Sequence, residues 1–162
     1  MRRQVKRLQS TKSRVLKLDS KYRFSRGALR IVLIPLFASA LLIGLTAAVF
    51  PRTFYEDFPF VAHWVDLLPP YNEHLVTDVG GLYLGFAVLF GWAAWTLERN
   101  LVRAVCVAWL LTAGLHLLFH ARHLDGFSTA DAVAELASLA LLVGAPAVAL
   151  WASFPPPETS RP

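Results

Sequence analysis

The sequence predicts an all-α membrane protein, a bundle of four transmembrane helices, on three observations. Hydrophobic residues make up 56% of the 162 positions and charged residues only 17%, against roughly half and a quarter in soluble domains. The apolar residues gather into four long stretches. The charges separate sharply along the chain. Residues 1–30 hold eleven of the sixteen Lys and Arg and a single acid, Asp19, a net charge of +10, whereas 31–162 carry five basic residues and ten acids.

The first stretch, Ile31 to Phe50, is twenty uncharged residues, which matches a hydrocarbon core of about 30 Å at ~1.5 Å per residue. It is too long for the apolar part of a signal peptide, and Ala38-Ser39-Ala40 falls in mid-span, so a retained anchor is expected. The second runs from Val79 to Leu97. The third lies between Arg103 and Arg122, eighteen residues with no formal charge if histidine is neutral. The fourth covers Ala132 to Phe154 with one acid, Glu135, near its start. Pro35 and Pro146 fall inside spans, where neighbouring helices tolerate a kink. The chain thus divides into a basic tail (1–30), a transmembrane domain (31–154) and a proline-rich tail (155–162) opened by Pro155-Pro156-Pro157.

The positive-inside rule puts the basic tail and the C-terminus in the cytoplasm of a multi-pass plasma (inner) membrane protein, with residues 51–78 and 122–131 outside. Arg99 and Arg103 then lie inside, and Trp92, Trp95 and Trp151 form an inner aromatic belt opposite Phe54, Tyr55, Phe58, Phe60 and Trp64. Partners of the basic tail are anionic lipid head groups rather than nucleic acid, since it adjoins a span, at about 1 kcal/mol per basic residue near the surface. Met1, Leu8, Val15 and Tyr22 recur every seven residues, so the tail either lies on the bilayer as an amphipathic helix or stays solvated and only fixes orientation. In the first outer loop a short interfacial helix is expected, capped by Asp57 with Pro59 in its first turn and ending before Pro69-Pro70. Val61, Trp64, Val65 and Leu68 would be its apolar side, and His63 and Asp66 would form an exposed pair outside any site.

With this topology all five histidines and eight of the eleven acids lie toward the outside. His116, His120 and His123, spaced by four and three, fall within roughly 60° of arc on one helical face. Asn72 is positioned to cap the second helix, on which His74, Asp78, Gly81 and Gly85 share a face. Gly81 and Gly85 form a small-xxx-small pair that lets a helix approach, so this face is expected inside the bundle. Asp131, Glu135, Ser138, Ala145 and Ala149 share a stripe on the fourth. Imidazoles and carboxylates on facing helices are ligands for zinc, iron, copper or manganese. His74, Asp78, His116, His120, His123 and Glu135 are therefore the candidate ligand set for a divalent transition metal. The alternative for the same residues is a hydrogen-bonded network that ties helices together without an ion.

Several chemistries are excluded. Cys106 is the single cysteine, so neither a disulfide scaffold nor a Cys-x-x-Cys redox centre exists. No phosphate-cradling glycine loop and no Gly-x-Ser-x-Gly elbow occurs. Five histidines are too few for the several boxes of membrane desaturases, and histidines confined to one side do not support a transmembrane haem pair.

From Asp78 to about Trp151 the chain resembles small uncharacterised four-helix bacterial membrane proteins of the DoxX-like kind. The resemblance rests on Val79-Gly80-Gly81-Leu82-Tyr83-Leu84-Gly85, on Leu124-Asp125-Gly126-Phe127-Ser128 and on Glu135-Leu136. Phe119-His120-Ala121-Arg122-His123 and Tyr71-Asn72-Glu73-His74 are similar to segments of actinobacterial proteins of this type. The resemblance implies a fold and carries no activity. Three functions stay open: an outward site for a metal ion or small polar ligand, an accessory or assembly subunit docking on a membrane partner or a second copy, and an enzyme acting on a lipid or quinone. In the last, Glu135 or Asp78 would be the base and His120 the acid.

Overall fold

The computed structural model describes residues 23–68 and 70–155. The heptad-spaced part of the basic tail and the segment after Pro155 lie outside them. Among the described residues five helices follow one another: α1 (Arg26–Val49), α2 (Pro51–Asp57), α3 (Glu73–Thr96), α4 (Arg99–His120) and α5 (Thr129–Ala152). α1, α3, α4 and α5 are each long and apolar enough to cross a membrane. They correspond one to one with the four apolar stretches, extended by capping groups that hydropathy does not see. Ser25 accepts from the Ala28 amide and starts α1 inside the basic segment. Asn72 accepts from Leu75 as expected, and Ser128 accepts from Asp131. Each satisfies one of the orphan amides of a first turn.

The helices alternate in direction, so one end of the bundle carries arginines and the other histidines. At the arginine end α3 closes on Leu97 in the left-handed region (φ 51°), and Glu98 starts α4 by accepting from both Asn100 and Leu101. Arg30 on α1 donates to the last carbonyls of α3, Ala94 at 2.9 Å and Trp95 at 3.0 Å. Arg103 on α4 donates to the hydroxyl and the carbonyl of Ser153, both at 3.0 Å, and lies over the Phe154 ring. Guanidinium groups placed at two helix C-termini satisfy orphan carbonyls and oppose the negative end of each dipole.

Two contacts set how the helices pack. α1 and α3 interlock through glycines. A Cβ on Gly44 would stand 2.8 Å from the Leu84 amide nitrogen, and one on Gly80 would stand 2.8 Å from the Ala47 carbonyl carbon. Only the missing side chains let the backbones approach this closely. Trp109 on α4 is the second centre. Its ring, 1% exposed, makes edge contacts with Tyr83, Phe86 and Phe90 of α3, and its indole N–H donates to the Leu142 carbonyl of α5 at 2.9 Å. The buried core runs from Leu29, Leu33 and Leu36 through Phe90 and Cys106 to Trp109, Ala149 and Ala152, in the arginine-end half. Toward the histidine end it thins: the buried residues there are small or polar, Gly44, Ala47, Gly80, Ala113, His120 and Glu135.

The loop between α1 and α3 corrects one expectation. The short helix stands about two turns early, at Pro51–Asp57, and residues 58–68 are turns and bends. Proline at the first position suits a helix start, and Pro51 supplies it. Pro59 drives the residue before it out of the helical region, and Phe58 is extended (ψ 139°). Phe60 and His63 have positive φ, so Val61, Trp64, Val65 and Leu68 form no helical side. His63 pairs with the end of α2 rather than with Asp66, its Nδ1 lying 2.9 Å from the Glu56 carbonyl and 3.7 Å from Asp57 Oδ1.

Candidate functional site

At the histidine end α4 and α5 bring one pair of ionisable side chains into the interior. His120 sits in the last turn of α4, on the same face as Trp109 and Ala113. Glu135 sits in the second turn of α5, which Ser128 has started at the register that turns this residue inward. Their side chains are 6% and 4% exposed, and His120 Nδ1 lies 2.6 Å from Glu135 Oε1. The approach is close but not directed as a hydrogen bond. His120 Nδ1 and the other carboxylate oxygen, Glu135 Oε2, are therefore both buried without a hydrogen-bond partner. Such orphan groups are few in a folded protein and each calls for an explanation. The Ser138 hydroxyl donates to the Glu135 backbone carbonyl and leaves the carboxylate free.

His116, one turn deeper on α4, meets His120 edge to face with ring centroids 4.4 Å apart. It is exposed even though it shares the inward face of Trp109. His116 is thus exposed beside a buried His120 and Glu135. The loop after α2 reaches across this end, the Trp64 indole donating to Asp131 Oδ1 at 3.2 Å. Asp131 also accepts from the Ser128 hydroxyl at 2.6 Å, so its hydrogen bonding is committed to the α5 cap and the loop. Sequence reasoning missed this strap, since the partners are 67 positions apart.

The other expected ligands stand elsewhere. α4 closes at His120, and the Arg122 and His123 amides bond back three residues, to Phe119 and His120. His123 therefore leaves the face it would share on a continuing helix. Its ring stacks on Phe119 at 4.1 Å, and its Nδ1 lies 2.8 Å from the Phe119 carbonyl. His74 and Asp78 pair with each other at 3.3 Å, with side chains 87% and 60% exposed. Their face, with Gly81 and Gly85, is turned away from the bundle, contrary to expectation. The close approach to α1 uses Gly80, and neighbouring residues on a helix point about 100° apart. His116, His120 and Glu135 thus converge, and His74, Asp78 and His123 do not join them. Among the described residues no group of three or more His, Cys, Asp and Glu could hold a metal ion.

Chemically, the pair can share one proton, and it offers a buried carboxylate oxygen that lacks a donor. That oxygen can accept an N–H or O–H, or lie against a cation. No protein-family model matches the chain, and neither a curated protein nor a solved structure matches it.

Proposed function

We propose that this chain is a plasma (inner) membrane protein with both termini in the cytoplasm, whose histidine end faces outward and binds a small polar ligand through His116, His120 and Glu135. The observation that carries the reading is the pair of buried atoms, His120 Nδ1 and Glu135 Oε2, left without hydrogen-bond partners. An unpaired buried polar group costs about 1–3 kcal/mol, and a ligand carrying a donor or a positive charge removes that cost. The orientation rests on Arg23, Arg26, Arg30, Arg99 and Arg103 gathering at one end. The same arginines and the tail before them suit anionic lipid head groups.

A divalent transition metal fits less well than a protonated amine, because His116, His120 and Glu135 would have to rearrange around the ion and the other expected ligands stand apart. The two are separable by experiment. Protein carrying ¹⁵N-labelled histidine is reconstituted in nanodiscs and titrated with methylammonium and, separately, with Zn²⁺. Saturable shifts of the His116 and His120 signals, lost in Glu135→Gln, are expected with methylammonium. Shifts with Zn²⁺ alone would replace the amine by a metal. No response to either probe would leave the second reading, an accessory subunit in which the pair only ties α4 to α5. That reading draws on the thinness of the core at this end, where few large apolar side chains join the two helices.

A further inference from the structure

The arginine end carries more positive charge than the fold uses. Among the described residues it holds Arg23, Arg26, Arg30, Arg99 and Arg103 against one acid, Glu98. Glu98 commits its carboxylate to the first amides of α4. Arg30 and Arg103 commit their guanidinium groups to the ends of α3 and α5. Arg23 is different. Its backbone amide donates to the carbonyl of Ala152, the last residue of α5, at 3.0 Å. Its guanidinium lies 4.7 Å over the Trp151 ring, which Phe24 meets edge-on at 5.5 Å. The backbone bond and the ring hold this cation in place, yet no described residue accepts its hydrogen bonds. Nε is buried without a partner, and among the described residues no carboxylate pairs with Arg23 or Arg26.

The surroundings of this cation have the layout of a lipid. Trp151 is 51% exposed, and deeper on the same face of α5 stand Val148, 43% exposed, and Leu141, 72% exposed. From Trp151 to Leu141 is about 15 Å along the axis, half of a hydrocarbon core of about 30 Å. The apolar stripe therefore spans one leaflet, with the indole at the level of the head groups and the guanidinium beside it. A phosphate ester is an anion that a planar guanidinium meets with two parallel hydrogen bonds. Arg26, three positions on, adds a second charge at the start of α1. A soluble anion would make no use of the stripe, and a zwitterionic lipid would bring an ammonium group against the arginines.

We propose that Arg23, Trp151 and the α5 stripe form a discrete site for one anionic phospholipid, its phosphate on the Arg23 guanidinium and an acyl chain along Val148 and Leu141. The site rests on the proposed meeting of the arginine end with anionic head groups, and it turns a diffuse attraction into one held lipid. It is independent of His116, His120 and Glu135 at the other end.

The full chain in detergent is titrated with dioleoylphosphatidylglycerol and, separately, with dioleoylphosphatidylcholine, and bound lipids are counted by native mass spectrometry. The first phosphatidylglycerol is expected to bind at least fivefold more tightly than the first phosphatidylcholine. Arg23→Gln and Trp151→Leu should each weaken that step at least fivefold. Arg23→Lys, which keeps the charge without the planar fork, should weaken it at least threefold. Lys6→Gln, Lys12→Gln and Lys17→Gln together remove more charge and should change it less than twofold. The unaltered chain gives a second readout in liposomes. Phosphatidylglycerol with a diazirine in its acyl chain should label residues 141–151 at least threefold more than phosphatidylcholine with the same chain. Equal binding of the two lipids overturns both the site and the head-group reading beneath it. A loss from the tail substitutions as large as that from Arg23→Gln overturns the site alone and leaves diffuse attraction. Displacement of the first phosphatidylglycerol by an equal concentration of inorganic phosphate would make this a site for a soluble anion, and labelling spread evenly over the four spans would remove the stripe; either result overturns the proposal.

Discussion

Replacing Glu135 by leucine removes one member of a pair buried to 4% and 6% exposure and leaves His120 without its carboxylate, beside the His116 ring. Breaking a buried ion pair from one side costs about 3–5 kcal/mol. An imidazole stranded without its partner can stay neutral, which reduces the penalty toward that of an orphan polar group, about 1–3 kcal/mol. The expected destabilisation of Glu135→Leu is therefore about 3 kcal/mol, with His120→Leu the costlier of the two because the stranded carboxylate is the harder group to neutralise. The double variant, two apolar side chains filling nearly the same volume, should return to within about 1 kcal/mol of the starting protein or exceed it. Equilibrium unfolding in bicelles of all four proteins gives the coupling directly. Either single variant costing less than about 0.5 kcal/mol, or a double variant costing the sum of the two, would refute the view that these side chains form one buried unit. The double variant has a second use: it should remain folded while losing the methylammonium response, which separates recognition from stability.

Two further outcomes are expected from the geometry. Gly80→Ala puts a methyl within 2.8 Å of the α1 backbone, which must move because neither contacting group is a flexible side chain; a loss of about 1–3 kcal/mol is expected. Gly81→Ala, one position on, meets nothing within 4 Å and should be neutral or stabilising by up to about 1 kcal/mol, both measured by unfolding in a detergent that keeps the chain monomeric. At the start of α4, the Leu101 and Asn100 amides hold the Glu98 carboxyl below the usual carboxylate range. A carboxyl depressed in the folded state contributes stability at neutral pH that is lost as pH falls through its folded value. Acid titration followed by NMR should move the Asn100 and Leu101 amide signals together at a pH below that of an ordinary glutamate. Glu98→Gln should abolish that step, and a midpoint in the ordinary range would contradict the cap.

The histidine end shows how far local pattern reaches. His116 and His120 share an inward face as their four-residue spacing dictates, because helical geometry alone fixes their relation. His123 breaks the pattern because the helix closes before it, and nothing apolar in Ala121-Arg122 signals that closure. Glu135 was legible as an acid near the start of an apolar helix. That it meets His120 and not His74 or Asp78 was not, since the choice depends on how α3 is rotated.

Span lengths, helix starts and the segregation of charge are properties of neighbouring residues, so the order of the chain sets them: twenty apolar positions are long enough, Asn72 and Ser128 cap the helices they precede, and arginines cluster where they stand in sequence. Which side of each helix becomes interior is different. Gly80 and Gly81 are adjacent and chemically identical, and only the backbone that α1 presents at Ala47 and Ala48 selects the first and leaves the second bare. That selection is made by shape between segments more than thirty residues apart, and no window of sequence contains both surfaces.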